Sequence, residues 1–254
     1  MPGEMQGIKH HLINIRNITQ DYTAADFYDD AKECIKDIAA RGKLPIIAGG
    51  TGLYFRILLQ DFDLPRTAPD KELRLELEKQ SSEELHKRLK ELDFEISQKI
   101  HPNNKVKIIR ALEVCINLGS PMSRAQKKKD AEFDVLWLGL ESSDRQFLYD
   151  RINRRTDIML EKGLLKEAEN LFNKYGENKI LLDTIGYKEF APYFKGQRLL
   201  EDAVNLLKQD TRRYAKRQIC WFNSNKDIKR FDIKTLSPAE IEEKAAELTE
   251  KFLG

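Results

Sequence analysis

Apolar positions along the chain follow two rhythms. Four stretches read as strands: His10-His-Leu-Ile-Asn-Ile15, Leu44-Pro-Ile-Ile-Ala48, Phe133–Leu140, and a segment near Lys229–Ile233. Elsewhere the spacing is helical. Thr23-Ala-Ala-Asp26 is a capping box that opens a helix with Phe27, Ala31, Ile35 and Ile38 on its apolar face, and Gly42 ends it. The residues Leu53–Leu59 read as a helix. From Asp70 to Gly119 the pattern gives only helices, over Asp70–Lys79, Ser82–Glu91, Phe94–Ile100 and Asn104–Leu118. After Glu141 it predicts helices over Asp144–Lys162, Leu164–Lys174, a short piece around Lys188, Leu199–Asn223 and Pro238–Phe252.

Strand, helix, strand, helix order predicts an α/β fold with a parallel sheet. The helical block, entered through the Pro-bearing linker Asp61–Pro69 and left through the polar run Ser123–Asp130, reads as an insertion domain. The expected division is therefore residues 1–64 as the first part of the core, 65–132 as the helical insertion, and 133–254 as a second, mostly helical part of the core.

Composition narrows the class. The 254 residues are 34% charged and 41% hydrophobic, with a formal net charge of +2, so any nucleic-acid footprint has to be local. The three cysteines, Cys34, Cys115 and Cys220, lack metal-ligand spacing and suit free thiols in a reducing cytoplasm. No apolar run approaches membrane-spanning length and the first residues do not form a signal peptide, so a soluble, cytoplasmic chain without a membrane partner is expected; it is taken to be a monomer.

Two places could carry chemistry. Gly49-Gly-Thr-Gly52 follows the expected Leu44–Ala48 strand and opens a helix, which is where ligands bind at the carboxyl edge of an open sheet. Its glycines permit close backbone approach, and Thr51 offers a hydroxyl beside helix N–H groups; a tight turn with a capping threonine explains the same residues. In the Leu199–Asn223 helix, Lys208, Arg212 and Lys216 are four apart, with Arg213 and Arg217 in the neighbouring row and Tyr214, Trp221 and Phe222 close by. Cations interleaved with aromatics suit single-stranded RNA, although a solvated basic face is the plainer reading of a lone helix.

Weaker signals lie elsewhere. Lys105 and Lys107 fall in the first turn after the N-cap Asn104, against the helix dipole, with Arg110 one turn on. Asp150-Arg-Ile-Asn-Arg-Arg155 offers Arg155 and its neighbours either to intrahelical ion pairs or to phosphate. His10 and His11 point to opposite faces of a strand, and no metal site is expected from them.

In order along the chain, His10-His-Leu12, Tyr22-Thr-Ala-Ala-Asp-Phe27, Gly49-Gly-Thr-Gly-Leu-Tyr-Phe55, His101-Pro-Asn-Asn104, Arg110-Ala-Leu-Glu-Val114, Gly186-Tyr-Lys188 and Lys216-Arg-Gln-Ile-Cys-Trp-Phe222 resemble the tRNA dimethylallyltransferase family. The resemblance implies a P-loop-kinase-like core with a helical insertion that grips the tRNA anticodon arm. It implies attack by N6 of the adenosine next to the anticodon on C1 of dimethylallyl diphosphate, with Mg²⁺ stabilising the departing pyrophosphate. It makes Thr51 the catalytic-site residue that meets the adenosine. It also makes Arg74, Lys107, Arg110, Gly186, Tyr187, Lys188, Lys216, Arg217, Gln218 and Trp221 tRNA-binding; Arg212 of the basic helix face is taken as tRNA-binding with them, and Gly49, Gly50 and Arg155 stay as phosphate or backbone-approach positions on the residue reading above.

The chain departs from that family in ways that bear on activity. It contains no Gly-x-x-x-x-Gly-Lys-[Ser/Thr] loop and no Asp-Ser motif with the general-base aspartate, which the family carries upstream of the position of His10. The Mg²⁺ ligands would go with them. Lys107 stands where arginine is usual, and Cys220 and Asn223 where threonine and arginine are common. The expectation is an N-terminally truncated core lacking on the order of 30 residues or more, with apolar edges left uncovered and no prenyl transfer by this polypeptide alone. A non-catalytic remnant that still binds anticodon arms is the alternative; a nucleotide kinase of related fold ranks last.

Overall fold

The computed structural model describes residues 5–59, 67–125 and 132–254. These residues are mostly helical, with a single two-stranded parallel sheet among them. They form two compact units. One draws on Met1–Ile13, Tyr22–Ala48 and Leu53–Asp134, the other on Asn14–Asp21, Gly49–Gly52 and Val135–Gly254.

The first unit contains α1 (Ala24–Ala40), α2 (Gly52–Leu59) from Leu53 onward, α3 (Lys71–Glu78), α4 (Ser82–Leu92), α5 (Phe94–Lys99), α6 (Lys105–Leu118) and α7 (Met122–Ala125). Local chemistry sets their ends. The Thr23 hydroxyl accepts from the Asp26 N–H at 3.2 Å while the Asp26 carboxylate accepts from the Thr23 N–H at 2.7 Å, so two otherwise orphaned donors at the start of α1 are satisfied. Ser81 and Glu84 repeat the device on α4. Asp93 caps α5 through Ile96 N–H at 3.0 Å and accepts from Ser123 N–H at 2.7 Å, which ties α7 down. Gly119, at φ 61°, ends α6 in the left-handed region that a side chain disfavours.

Leu77, Leu85, Leu89, Ile108 and Leu112 are wholly buried where α3, α4 and α6 pack together, with Ile96 of α5 beside them. Each such side chain contributes about 1.5–3 kcal/mol of transfer free energy, so this helical block has a core of its own. In the same unit, Phe27 of α1 and Tyr54 of α2 stack with ring centroids 4.0 Å apart.

The second unit contains β1 (Leu138–Glu141), α8 (Arg145–Glu161), α9 (Leu164–Tyr175), α10 (Lys179–Asp183), α11 (Ala191–Phe194), α12 (Leu200–Phe222), β2 (Lys229–Asp232) and α13 (Pro238–Leu253). β1 and β2 pair in parallel with Leu138 opposite Lys229 and Glu141 opposite Asp232. Leu164, Ala168, Phe190, Ala203 and Leu207 form the core under α9 and α12.

Two expected strands are absent. At His10–Ile15 the chain turns, and Leu12 at φ 61° and Asn14 at φ 57° are left-handed, a conformation no strand accommodates. Leu44–Ala48 is apolar as expected, yet pairs with no strand among the described residues, and Ile46 is 81% exposed. An apolar run becomes a strand only where a neighbour completes its ladder. For the same reason Gly49–Gly52 does not sit at the carboxyl edge of a described sheet. The Phe133–Leu140 strand is shorter than its apolar run, because only Leu138–Glu141 meets β2. Most of the Ser123–Asp130 and Asp61–Pro69 stretches lies outside the described residues.

Candidate functional site

In the second unit the Gly49–Gly52 turn lies against the end of α12. Gln218 Nε2 donates to the Gly50 carbonyl at 3.0 Å. A Cβ on Gly50 would fall 1.8 Å from Gln218 Nε2, and one on Gly52 would fall 2.1 Å from Trp221 Cδ2. Close approach to the indole requires glycine at position 52; at position 50 the atom met is the far end of a flexible glutamine, and a Cβ on Gly49 would meet open space. Thr51, held between the two contacts, is exposed. Trp221 is half-buried and meets Phe222 edge-on at 4.8 Å.

The cations of α12 divide into two groups. Those nearer its start bind neighbouring residues: Lys208 pairs with Asp157 of α8 at 2.6 Å, and Arg212 donates to Asn153 at 2.7 Å with its guanidinium 5.8 Å from the Tyr149 ring. Arg213 pairs with Asp210 at 3.2 Å. The basic face read from the sequence is therefore partly consumed in fixing α12 to α8. Lys216 and Arg217, a turn further on, are exposed; Arg217 lies 5.6 Å from the Tyr214 ring, and neither has an ion pair among the described residues. They stand next to Gln218. Arg155 is exposed on α8.

Gly186, Tyr187 and Lys188 form a turn held by buried charge. The Gly186 N–H donates to Glu189 Oε2 at 2.9 Å, and Gly186 takes φ 103°, which only glycine adopts freely. Lys188 pairs with Asp210 of α12 at 2.8 Å. Glu189 is fully buried, its Oε1 has no hydrogen-bond partner, and burial pushes its carboxyl above the usual range. Tyr187 donates to Glu167 at 2.5 Å; burial and that carboxylate push its hydroxyl up to about 12.

In the first unit one carboxylate gathers the arginines. Glu113 of α6 has no exposed surface. It receives a two-point contact from Arg74 of α3, Nε to Oε1 and Nη2 to Oε2, both at 2.8 Å. Arg110 Nη1 also donates to Oε2, and the Asp70 N–H donates to Oε1 at 2.7 Å. Burial alone would raise its pKa, but the hydrogen bonds from Arg74, Arg110 and Asp70 prevail and hold it below the usual carboxylate range. Lys105 reaches the Glu78 carbonyl at the end of α3, at 2.8 Å, so its place in the first turn of α6 serves another helix's exposed C-terminus. Lys107 is exposed and without an ion pair among the described residues.

Sequence reasoning missed Glu113 and Glu189 as organisers. Glu113 had a legible signal: an acid three residues after Arg110 on the apolar side of a helix, between Leu112 and Val114. Among the described residues no group of three or more His, Cys, Asp or Glu side chains could hold a metal ion, and no step is assigned to Mg²⁺. No helix among them is long and apolar enough to cross a membrane.

The IPP transferase family model matches residues 1–225. A tRNA dimethylallyltransferase of Bacillus cereus (strain G9842) is 43% identical over 236 residues, spanning 91% of this chain and 74% of that protein. Among solved structures, the tRNA isopentenylpyrophosphate transferase of Bacillus halodurans matches with a TM-score of 0.70 at 36% identity, covering 99% of this chain and 80% of that one. A eukaryotic dimethylallyltransferase acting on tRNA matches with a TM-score of 0.83 at 30% identity, covering 99% of this chain and 67% of that one. With the family model covering most of its length and a relative this similar, the chain belongs to the IPP transferase family.

Proposed function

We propose that this chain serves tRNA modification by transfer of a dimethylallyl group from dimethylallyl diphosphate to N6 of the adenosine next to the anticodon, and that its own residues supply the RNA-holding part of that reaction. In the transfer the N6–C1 bond forms, the C1–oxygen bond breaks with its electron pair leaving on pyrophosphate, and the amine proton passes to a general base, a role assigned to no residue of this chain. The single observation that carries the reading is the exposed Thr51 displayed between Gly50 and Gly52 by Gln218 and Trp221 of α12, the helix that also carries the exposed cations Lys216 and Arg217. A hydroxyl there can accept from an unstacked adenine amine while the cations meet backbone phosphates. Names and similarity of the relatives point the same way.

In this reading Arg74, Lys107 and Arg110 of the helical insertion, residues 65–132, contact the anticodon arm, as do Gly186, Tyr187 and Lys188, with Arg212 holding α12 in place. The core is P-loop-kinase-like; a Gly-x-x-x-x-Gly-Lys-[Ser/Thr] loop is not among these 254 residues, and none of them is assigned to Mg²⁺. Purified chain should therefore bind an anticodon stem-loop with an affinity that falls as salt rises, and Arg217→Ala should weaken it. Absence of binding at low salt, or binding indifferent to salt, would sink the proposal.

A further inference from the structure

Two arginines of the first unit share one buried acid, and this arrangement does more than join α3 to α6. The side chains of Arg74 and Arg110 keep 34% and 38% of their surface exposed, while that of Glu113 keeps none. Arg74 spends Nε and Nη2 on the carboxylate, leaving Nη1 outside the pair. Arg110 spends Nη1 on it and reaches the Thr67 carbonyl at 3.4 Å with Nη2. Both forks are thus held by the buried carboxylate while part of each arginine side chain stays in solvent. Lys107, three residues before Arg110, adds an exposed cation to the same helix.

We propose that Glu113 is a positioning residue for RNA: by clamping Arg74 and Arg110 it presents their outer N–H edges to phosphates of the anticodon arm. This rests on the RNA-binding reading above. A long, mobile cation loses side-chain entropy when it closes on a phosphate; a fork already fixed by a buried carboxylate has given up that freedom on folding. Planarity and fixed donors make arginine, not lysine, the residue such a clamp can orient. Opposite behaviour follows if Glu113 is only a structural pin. Removing its negative charge would then leave RNA binding unchanged, or tighten it by lifting a repulsion.

The test measures stem-loop affinity across a salt series for wild type, Glu113→Gln and Arg74→Lys, with circular dichroism to verify folding. Expected for both variants is a several-fold loss of affinity; for Glu113→Gln the dependence of log K on log salt also becomes shallower, by about 0.7–0.9 for each phosphate no longer neutralised. Arg74→Lys leaves Glu113 and the local charge in place, so it decides the matter if Glu113→Gln does not fold. Unchanged or tighter binding by either folded variant overturns the proposal. Wild-type chain that fails to bind the stem-loop overturns the RNA reading itself, and this inference with it.

Discussion

Gln218 of α12 donates its side-chain amide to the backbone carbonyl of Gly50, 168 residues earlier in the chain, at 3.0 Å. That bond, with Trp221 lying over Gly52, makes the last turns of α12 the support of the turn that displays Thr51. The helix carrying the exposed cations and the turn carrying the hydroxyl thus form one piece of structure.

Alanine at the two glycines should distinguish the two supports. At Gly50 the new methyl meets the far end of a flexible glutamine, which can swing away at the loss of one hydrogen bond, about 1 kcal/mol. At Gly52 it meets the face of an indole that is half-buried and cannot yield as easily, an overpacking cost of about 1–3 kcal/mol. Thermal melts should rank Gly52→Ala below Gly50→Ala. The reverse order would mean that Trp221 is not packed on the turn.

Removing Glu113 should cost stability through the two cations it leaves behind. Glu113→Ala strands Arg74 and Arg110 half-buried and is expected to cost about 3 kcal/mol, the low end for a broken buried pair because both arginine side chains reach solvent. The pH dependence has a definite sign. The folded carboxyl titrates below its unfolded value, so its contribution is present above the unfolded pKa and disappears as pH falls through the folded one. Denaturant titrations of wild type and Glu113→Ala should differ at neutral pH and converge in acid.

Glu189 carries the opposite sign. Its carboxyl is pushed up by burial, so its stabilising contribution is complete below the unfolded pKa and is lost as pH rises through the folded one. Glu189→Gln keeps the acceptor for the Gly186 N–H and removes the buried charge. The variant should match or exceed wild type in melting temperature at pH 8, with the difference shrinking toward acid. A clear loss at pH 8 would show that the 3.8 Å approach of Lys188 outweighs desolvation.

Two lysines of α6 should behave differently despite sitting two residues apart. Lys105 holds the Glu78 carbonyl, so Lys105→Ala should lower stability by about 1 kcal/mol and leave stem-loop affinity nearly intact. Lys107→Ala should leave the melt unchanged and weaken RNA binding with a reduced salt slope. Melts and binding curves on the same preparations would expose a swapped assignment.

Helices were legible from the sequence because their ends carry chemistry. The capping boxes at Thr23, Ser81 and Ser237, the caps at Asp93 and Asn104, and the terminator Gly119 lie where the pattern puts helix boundaries. Strands were less legible because a strand needs a partner: Leu44–Ala48 has the apolar run without a ladder among the described residues, and Leu12 and Asn14 break the run before it. Gly50 was read as a glycine that lets a ligand approach; its contact with Gln218 was not legible, since nothing local announces a contact across 168 positions. Lys208 and Arg212 share a helical row with Lys216, and only the packing of α8 shows that the first two are engaged internally.

The most direct measurement places the target adenosine. An anticodon stem-loop carrying a photoreactive adenosine next to the anticodon would be irradiated with the purified chain and the cross-linked peptide identified by mass spectrometry. Cross-linking to the peptide containing Gly49–Gly52, abolished by excess unmodified stem-loop, is the predicted result. Competed cross-links confined to other peptides would contradict the role given to Thr51 and to the helix that supports it.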